Sequence, residues 1–227
     1  MKVVVNAAIS ADGKLSTVER TQIPISGDDD FDRVDALRAR VDAVLVGSGT
    51  VQADDPSLLI TSPDRIDERT AAGRPPHPAR VVADSRARIP ANAQILDSAA
   101  QTYVLVSKKA PQGRIGSLES ANTDIIIHGD EQVDLPAAFE SLEQLGINQL
   151  LIEGGGELLA SVFEQGLADE LTTYIGNCII GGSTAPTLVD GSGFKSLEVA
   201  PELRLSELKQ IDEGALLTWN VVGTLTD

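Results

Sequence analysis

Short apolar runs, each bounded by glycine, proline or a polar cluster, recur along this chain. They predict strands over 2–9, 43–46, 80–84, 102–107, 125–128, 149–153, 170–180, 203–211 and 215–222. Between them, Phe31, Val34, Leu37 and Val41 recur at helical spacing behind Asp28, Asp29 and Asp30, predicting a helix over 28–41 with its acidic end at the positive pole of the dipole. Further helices are predicted over 136–145 and 157–165. Residues 54–79 carry five prolines and no period, which reads as a long loop of the kind that is functional or mobile. Runs this short and this apolar suit strands covered on both faces. Strands that alternate with helices and then give way to a β-rich end predict an α/β fold: a mixed, mostly parallel sheet flanked by helices, in a single domain over 1–227.

Composition narrows the function. The 227 residues hold 18 Lys+Arg against 34 Asp+Glu, a net charge of −16, with only six of the cations being Lys. A chain this acidic lacks the basic footprint of a nucleic-acid or anionic-membrane binder. It can still take an anionic small molecule through backbone amides and a few arginines. The acidic residues are spread along the whole chain, which suits a salty, screened cytoplasm (a halophilic protein) and also an ordinary acidic enzyme. No apolar run approaches a membrane span, and the N-terminus reads as a strand, so a soluble, cytoplasmic protein is expected. The lone Cys178 and two scattered His leave no disulfide and no Cys/His metal cage, so no metal site is expected.

Candidate chemistry gathers at strand ends. Leu150-Leu151-Ile152-Glu153-Gly154-Gly155-Gly156-Glu157 reads as a strand, three glycines and a helix start, an arrangement that lets a backbone approach a phosphate, with Glu153 at the strand's C-terminal edge. Val46-Gly47-Ser48-Gly49-Thr50-Val51 repeats it, and Thr50 suits a helix cap and a ligand contact equally. Neither run is the G-x-G-x-x-G fingerprint, and no G-x-x-x-x-G-K-[ST] is present. Asp54-Asp55-Pro56 is a turn former or a ligand group. Asp84-Ser85-Arg86-Ala87-Arg88 closes another strand with two guanidiniums, the group suited to a terminal phosphate. His77 and His128 read as structural, Cys178 as a small residue buried in a strand, and Trp219, alternating with Leu217 and Val221, as core. Since no nucleophile–base set can be assembled, the chemistry would fall to a cofactor.

Taken in order, these motifs resemble one family. Asn6, Ser10-Ala11-Asp12-Gly13-Lys14, the run from Val46 to Leu58, Asp84-Ser85 with Ile89-Pro90, Glu153-Gly154-Gly155-Gly156, Leu167-Ala168-Asp169-Glu170-Leu171 and Ile180-Gly181-Gly182 are similar to the riboflavin-pathway pyrimidine reductases. The resemblance covers about residues 3 to 222. It implies a dihydrofolate-reductase-like fold, NADPH as cofactor (NADH being the alternative), a phosphorylated pyrimidine as substrate, and a homodimer. Carried over by position, it implies cofactor contacts at Thr50, Asp54, Ser85, Arg86, Ala87, Arg88, Gly154, Gly155, Gly156 and Glu157, and substrate contacts at Asn6, Asp12, Arg38, Ser57 and Glu153. Asp12 and Glu153 are the implied catalytic pair. Asn at position 6, with no deaminase domain, points to the archaeal and fungal branch, which reduces the ribosylamino group of a diamino-pyrimidinone phosphate. Leu59-Ile60-Thr61 stands where the family often has a basic residue for the substrate phosphate, and Arg65 is the nearest cation. The rival readings are a dihydrofolate-type reductase and a nucleotide-binding protein without turnover.

Overall fold

A computed structural model of the chain describes residues 1–20 and 23–224. In chain order the elements are β1 (Lys2–Ile9), α1 (Asp28–Arg40), β2 (Ala43–Gly47), α2 (Ser48–Asp54), α3 (Pro63–Ala71), β3 (Ala79–Ala83), β4 (Thr102–Val106), α4 (Gln112–Leu118), β5 (Thr123–Ile127), α5 (Leu135–Gln144), β6 (Gln149–Ile152), α6 (Gly156–Glu164), β7 (Glu170–Ile175), β8 (Pro201–Ile211) and β9 (Gly214–Thr224). The sheet strands are mostly parallel and flanked by helices, as the alternation of runs predicts. The chain divides into two compact units, Val34–Leu151 with Met1, and Lys2–Arg33 with Ile152–Asp227.

In the first unit the strand order is β5-β4-β3-β2-β6, and β2, β3, β4 and β5 pair in parallel. Every residue of β2 is buried, as are Val81, Val82, Val104, Leu105, Leu150 and Leu151, so these strands are covered on both faces. A charged residue also sits at a buried strand position. Arg80, wholly buried, donates to Thr102 Oγ1 at 3.1 Å and Asp97 Oδ1 at 2.8 Å, and also to the carbonyls of Gln94, Asp97 and Ala100, which satisfies the charge that burial would otherwise penalise.

The long loop expected over 54–79 contains α3. Ser62 caps it by accepting from Arg65 N, and Pro63 sits at its first turn, where a missing N–H costs nothing. Its docking residue is the buried Arg69, which donates to the carbonyls of Ala39, Val41 and Pro75. A helix held by an arginine writes no apolar period, so its sequence looks like loop. Helices α2 and α4 are seven residues each, too short for a period to declare itself.

The second unit pairs β1 with β7 in parallel, β7 with β9 antiparallel, and β9 with β8 antiparallel. Strand β7 ends at Ile175 rather than 180, and at the next residue, Gly176, a Cβ would lie 2.5 Å from Ile25 O. Cys178 is therefore outside any strand and half-buried, which corrects the expectation of a buried strand position. Trp219, Leu217 and Val221 are half-buried rather than core. Phe31 is 54% exposed, so the apolar spacing of α1 overstated its buried face. At the tip of the β8–β9 hairpin Asp212 adopts a left-handed conformation (φ 47°) and accepts from Asp29 N at 3.1 Å and Asp30 N at 3.0 Å. A carboxylate far along the chain thus caps α1, and a Cβ at Gly27 would meet that carboxylate within 2.9 Å and push the cap aside.

Candidate functional site

In the first unit β2 runs straight into α2. Gly47 is the N-cap, with no side-chain cap, and Thr50 lies within the first turn, so the capping role considered for Thr50 is not the one it fills. Asp54 ends α2, and partial burial raises its carboxyl above the ordinary range. In the segment that follows, two non-glycine residues are left-handed, Asp55 at φ 41°, where it caps the end of α2, and Leu58 at φ 54°. The Asp55 carboxylate accepts from Gln94 N at 2.8 Å and so ties this segment to a distant one, while Ser57 is half-buried. Arg38 donates to Leu59 O at 3.1 Å and ties α1 to the segment that follows. Arg65 pairs with Asp35 at 3.0 Å, and Asp35 also accepts from Thr61 N, Thr61 Oγ1 and Ser62 N, hydrogen bonds that hold its carboxyl below the usual range despite burial. Arg65, the cation nearest this stretch in sequence, is thus committed to an ion pair, while Arg38 is the one that reaches Leu59. His77 supports the same segment, its Nδ1 accepting from Ile60 N at 3.2 Å, and burial keeps its pKa below the ordinary value.

The turn after β3 is organised by Asp84, which is fully buried and accepts from Ile89 N at 2.8 Å and Arg86 N at 3.4 Å. Within it Ser85 Oγ accepts from Val133 N at 3.0 Å and Arg86 pairs with Glu131 at 3.2 Å. Ala87 is buried in a left-handed conformation (φ 53°), and its carbonyl accepts from Arg114 Nε at 2.9 Å, so it shapes the turn and offers no side-chain surface. Arg88 is 65% exposed, with Nε 3.9 Å from Asp84, and is the residue of the four that presents a guanidinium to solvent on so long a contact.

In the second unit Asn6, 6% exposed in β1, accepts at Oδ1 from Arg33 Nη2 at 2.8 Å. Arg33 is held by the buried Asp30, with Nε 2.8 Å and Nη2 2.7 Å from Asp30 Oδ1. From the sequence Asp30 reads as part of the acidic start of α1, and Arg33 does not stand out. Their i,i+3 spacing on the predicted helix was the available signal. The turn at Ser10-Ala11-Asp12-Gly13 forms as expected, closed by Gly13 N to Ser10 O at 2.9 Å. Asp12 accepts from Ser10 Oγ at 2.6 Å, Ile180 N at 3.0 Å and Gly181 N at 2.7 Å, and these bonds lower its pKa to about 2. A carboxylate so engaged clasps the Ser10–Gly13 turn to the segment at Ile180 and Gly181.

Glu153 follows β6 and is half-buried. Gly154 at φ 121° and Gly155 at φ 96° take conformations that L side chains rarely adopt. Gly155 is the N-cap of α6, with no side-chain cap, and Glu157, exposed, lies in the first turn. Gly156 has a different reason: a Cβ there would lie 2.7 Å from Thr187 O and 2.5 Å from the Asp190 carboxylate. Two of the glycines are thus demanded by backbone conformation and the third by packing. Among the described residues no group of three or more His, Cys, Asp or Glu is arranged to hold a metal, and no helix is long and apolar enough to cross a membrane.

Parallel strands that deliver glycine-lined turns to helix starts define an α/β protein whose free helix-start amides can meet an anionic group. The family model described as the RibD C-terminal domain matches residues 1–217, across both units, and the chain belongs to that family. A protein of Archaeoglobus fulgidus named 2,5-diamino-6-ribosylamino-4(3H)-pyrimidinone 5′-phosphate reductase is 41% identical over 216 residues, covering 95% of this chain and 96% of that one. The protein of the same name from Methanothermobacter thermautotrophicus is 37% identical over 221 residues, covering 97% and 98%. Among solved structures, RibD of Acinetobacter baumannii superposes with a TM-score of 0.80 at 25% identity, over 97% of this chain and 58% of that chain.

Proposed function

We propose that this protein is the NADPH-dependent reductase that converts the ribosylamino group of 2,5-diamino-6-ribosylamino-4(3H)-pyrimidinone 5′-phosphate to the ribitylamino form, acting in the cytoplasm as one reductase domain. The observation that carries the reading is the end-to-end similarity, at 41% identity, to a protein of that name.

Each unit carries donors of the kind that a nicotinamide dinucleotide calls for. Gly154 and Gly155 open a helix without a capping side chain, so backbone amides can meet a phosphate. The exposed Arg88 guanidinium suits the 2′-phosphate that separates NADPH from NADH. Thr50, Asp54, Ser85, Arg86 and Glu157 complete the cofactor set by position, with Ala87 and Gly156 contributing backbone shape. When bound, NADPH would supply the hydride to C1′ of the ring-opened imine, whose C=N π bond breaks as its nitrogen takes a proton from solvent. The chain's own work is alignment, which accounts for much of the rate in such a reaction. Asn6, Arg38, Ser57 and Glu153 orient the pyrimidine, and Asp12 holds its loop in place.

The test is loss of absorbance at 340 nm with NADPH and the pyrimidinone phosphate in molar KCl. Turnover that needs the pyrimidine and ignores dihydrofolate supports the reading. A folded protein that oxidises NADPH with neither substrate overturns it. Glu153→Gln should cut kcat or raise KM at least tenfold, and unchanged constants would remove Glu153 from the site.

The β8–β9 hairpin supports a homodimer. Leu203, Leu205 and Leu208 are 37%, 45% and 65% exposed and pair with Val221, Trp219 and Leu217. The register shift between Leu205 and Glu207 keeps all three leucines on the face of those partners, as an unbulged strand would not. An apolar face maintained by a bulge is the surface we assign to a second copy.

A further inference from the structure

We propose that Arg33 is a positioning residue that fixes the amide of Asn6 so that a bound substrate meets a hydrogen-bond donor there. The proposal rests on the reductase reading for the identity of the substrate, and on the structure for the relay itself. A guanidinium carries donors only, so the Asn6 atom facing it must be the amide oxygen, and the assignment of oxygen and nitrogen is settled by chemistry. The planar amide then carries its NH₂ on the other branch, and the residue that could accept or donate becomes a donor to whatever binds.

Arg33 cannot easily release that oxygen. Its Nε and Nη2 both lie within 2.8 Å of Asp30 Oδ1, and Asp30 is 2% exposed. Asp30 is in turn anchored through its backbone N–H to Asp212. Because Asp30 balances the charge of Arg33, the relay orients Asn6 without adding a net charge beside it. The complementary group on the ligand is an acceptor, and a pyrimidinone offers its ring carbonyl and ring nitrogens. An analogue bearing a donor at that place should be refused.

The experiment is a double-mutant cycle on Asn6 and Arg33, read in steady-state kinetics and in the side-chain amide resonances of Asn6 by ¹⁵N NMR. Arg33→Met should lower kcat/KM for the pyrimidine by about 10–50-fold, with the loss mainly in KM, and Arg33→Lys should recover part of it. In the Asn6→Ala background Arg33→Met should change kcat/KM by less than about twofold, since the residue through which it acts is gone. Losses that multiply in the double variant, or an unchanged KM in a folded Arg33→Met protein, overturn the proposal. Should Arg33→Met fail to fold, Arg33→Lys with the same cycle decides. The resting-state spectrum separates this inference from the functional reading. If the wild-type protein turns over no pyrimidine, the reductase assignment fails by itself. The relay then stands or falls on whether the Asn6 NH₂ pair moves on Arg33→Lys substitution, and an unmoved pair overturns it.

Discussion

At the residue scale, several positions marked by their chemistry turn out to be held by their neighbours. Asp12 reads from the sequence as a carboxylate near a ligand, yet its oxygens accept from Ser10, Ile180 and Gly181. No local pattern announces a partner 168 residues away. Its folded pKa of about 2 lies below the ordinary 3.8, so its contribution to stability is full above 3.8 and is lost as the pH falls through 2. Asp12→Asn should therefore lower Tm at pH 7, with the gap from wild type closing towards pH 2. A gap as large at pH 2 as at pH 7 in thermal melts would show that the ionised form is not what the loops need. The glycines divide in the same manner. The run Gly154-Gly155-Gly156 is legible as a turn, but only the structure shows that Gly156 is needed for Thr187 and Asp190. Gly156→Ala should destabilise by about 1–3 kcal/mol through overpacking. Gly154→Ala meets no atom within 4 Å and costs through backbone strain alone. Urea denaturation of both variants distinguishes them if Asp190→Ala relieves part of the first loss and none of the second.

At the scale of elements, the strands were legible because burial on both faces writes itself as short apolar runs, and β2, β3, β4 and β6 match their predicted positions to within a residue or so at either end. The site was legible only as strand ends and glycine turns. What holds those ends was not, because Asp84, Asp30 and Arg33 act through side-chain hydrogen bonds that leave no period. Helix α3 escaped notice for a related reason, since it docks through Arg69. Helix α1 was predicted from an apolar stripe that includes the exposed Phe31, and its acidic first turn was the better guide. That turn is completed by Asp212 from the β8–β9 hairpin, a cap invisible in local sequence. Asp212→Ala should cost about 1 kcal/mol, the ordinary value of a lost N-cap. It should also weaken pyrimidine binding more than NADPH binding, because the loosened residues include Asp30, which holds Arg33. Titration calorimetry with each ligand checks the order, and equal losses for both would sever the hairpin tip from the Asn6 relay.

At the scale of the whole molecule, a net charge of −16 opposes both compactness and self-association, while the face of Leu203, Leu205 and Leu208 favours association. Two copies brought together bring two such charges together, so the balance turns on screening. At 0.1 M salt the Debye length is about 10 Å and charges on neighbouring surfaces repel; at 1 M it is about 3 Å and they scarcely interact. The apolar contribution of the leucine face persists throughout and is strengthened where salt is excluded from the surface. Dimer fraction and Tm should therefore rise together as KCl is raised from 0.1 to 1 M, followed by sedimentation and by thermal melts at one protein concentration. Leu205→Glu should remain monomeric across that range, because it puts a further charge at the centre of the apolar face. Its Tm should still climb with salt, since intramolecular repulsion is screened whether or not a partner is present. The difference between the two salt curves isolates what association adds. A Leu205→Glu protein that dimerises like the parent would move the interface elsewhere, and a Tm independent of KCl in both proteins would leave the acidic surface as ordinary composition rather than an adaptation to salt.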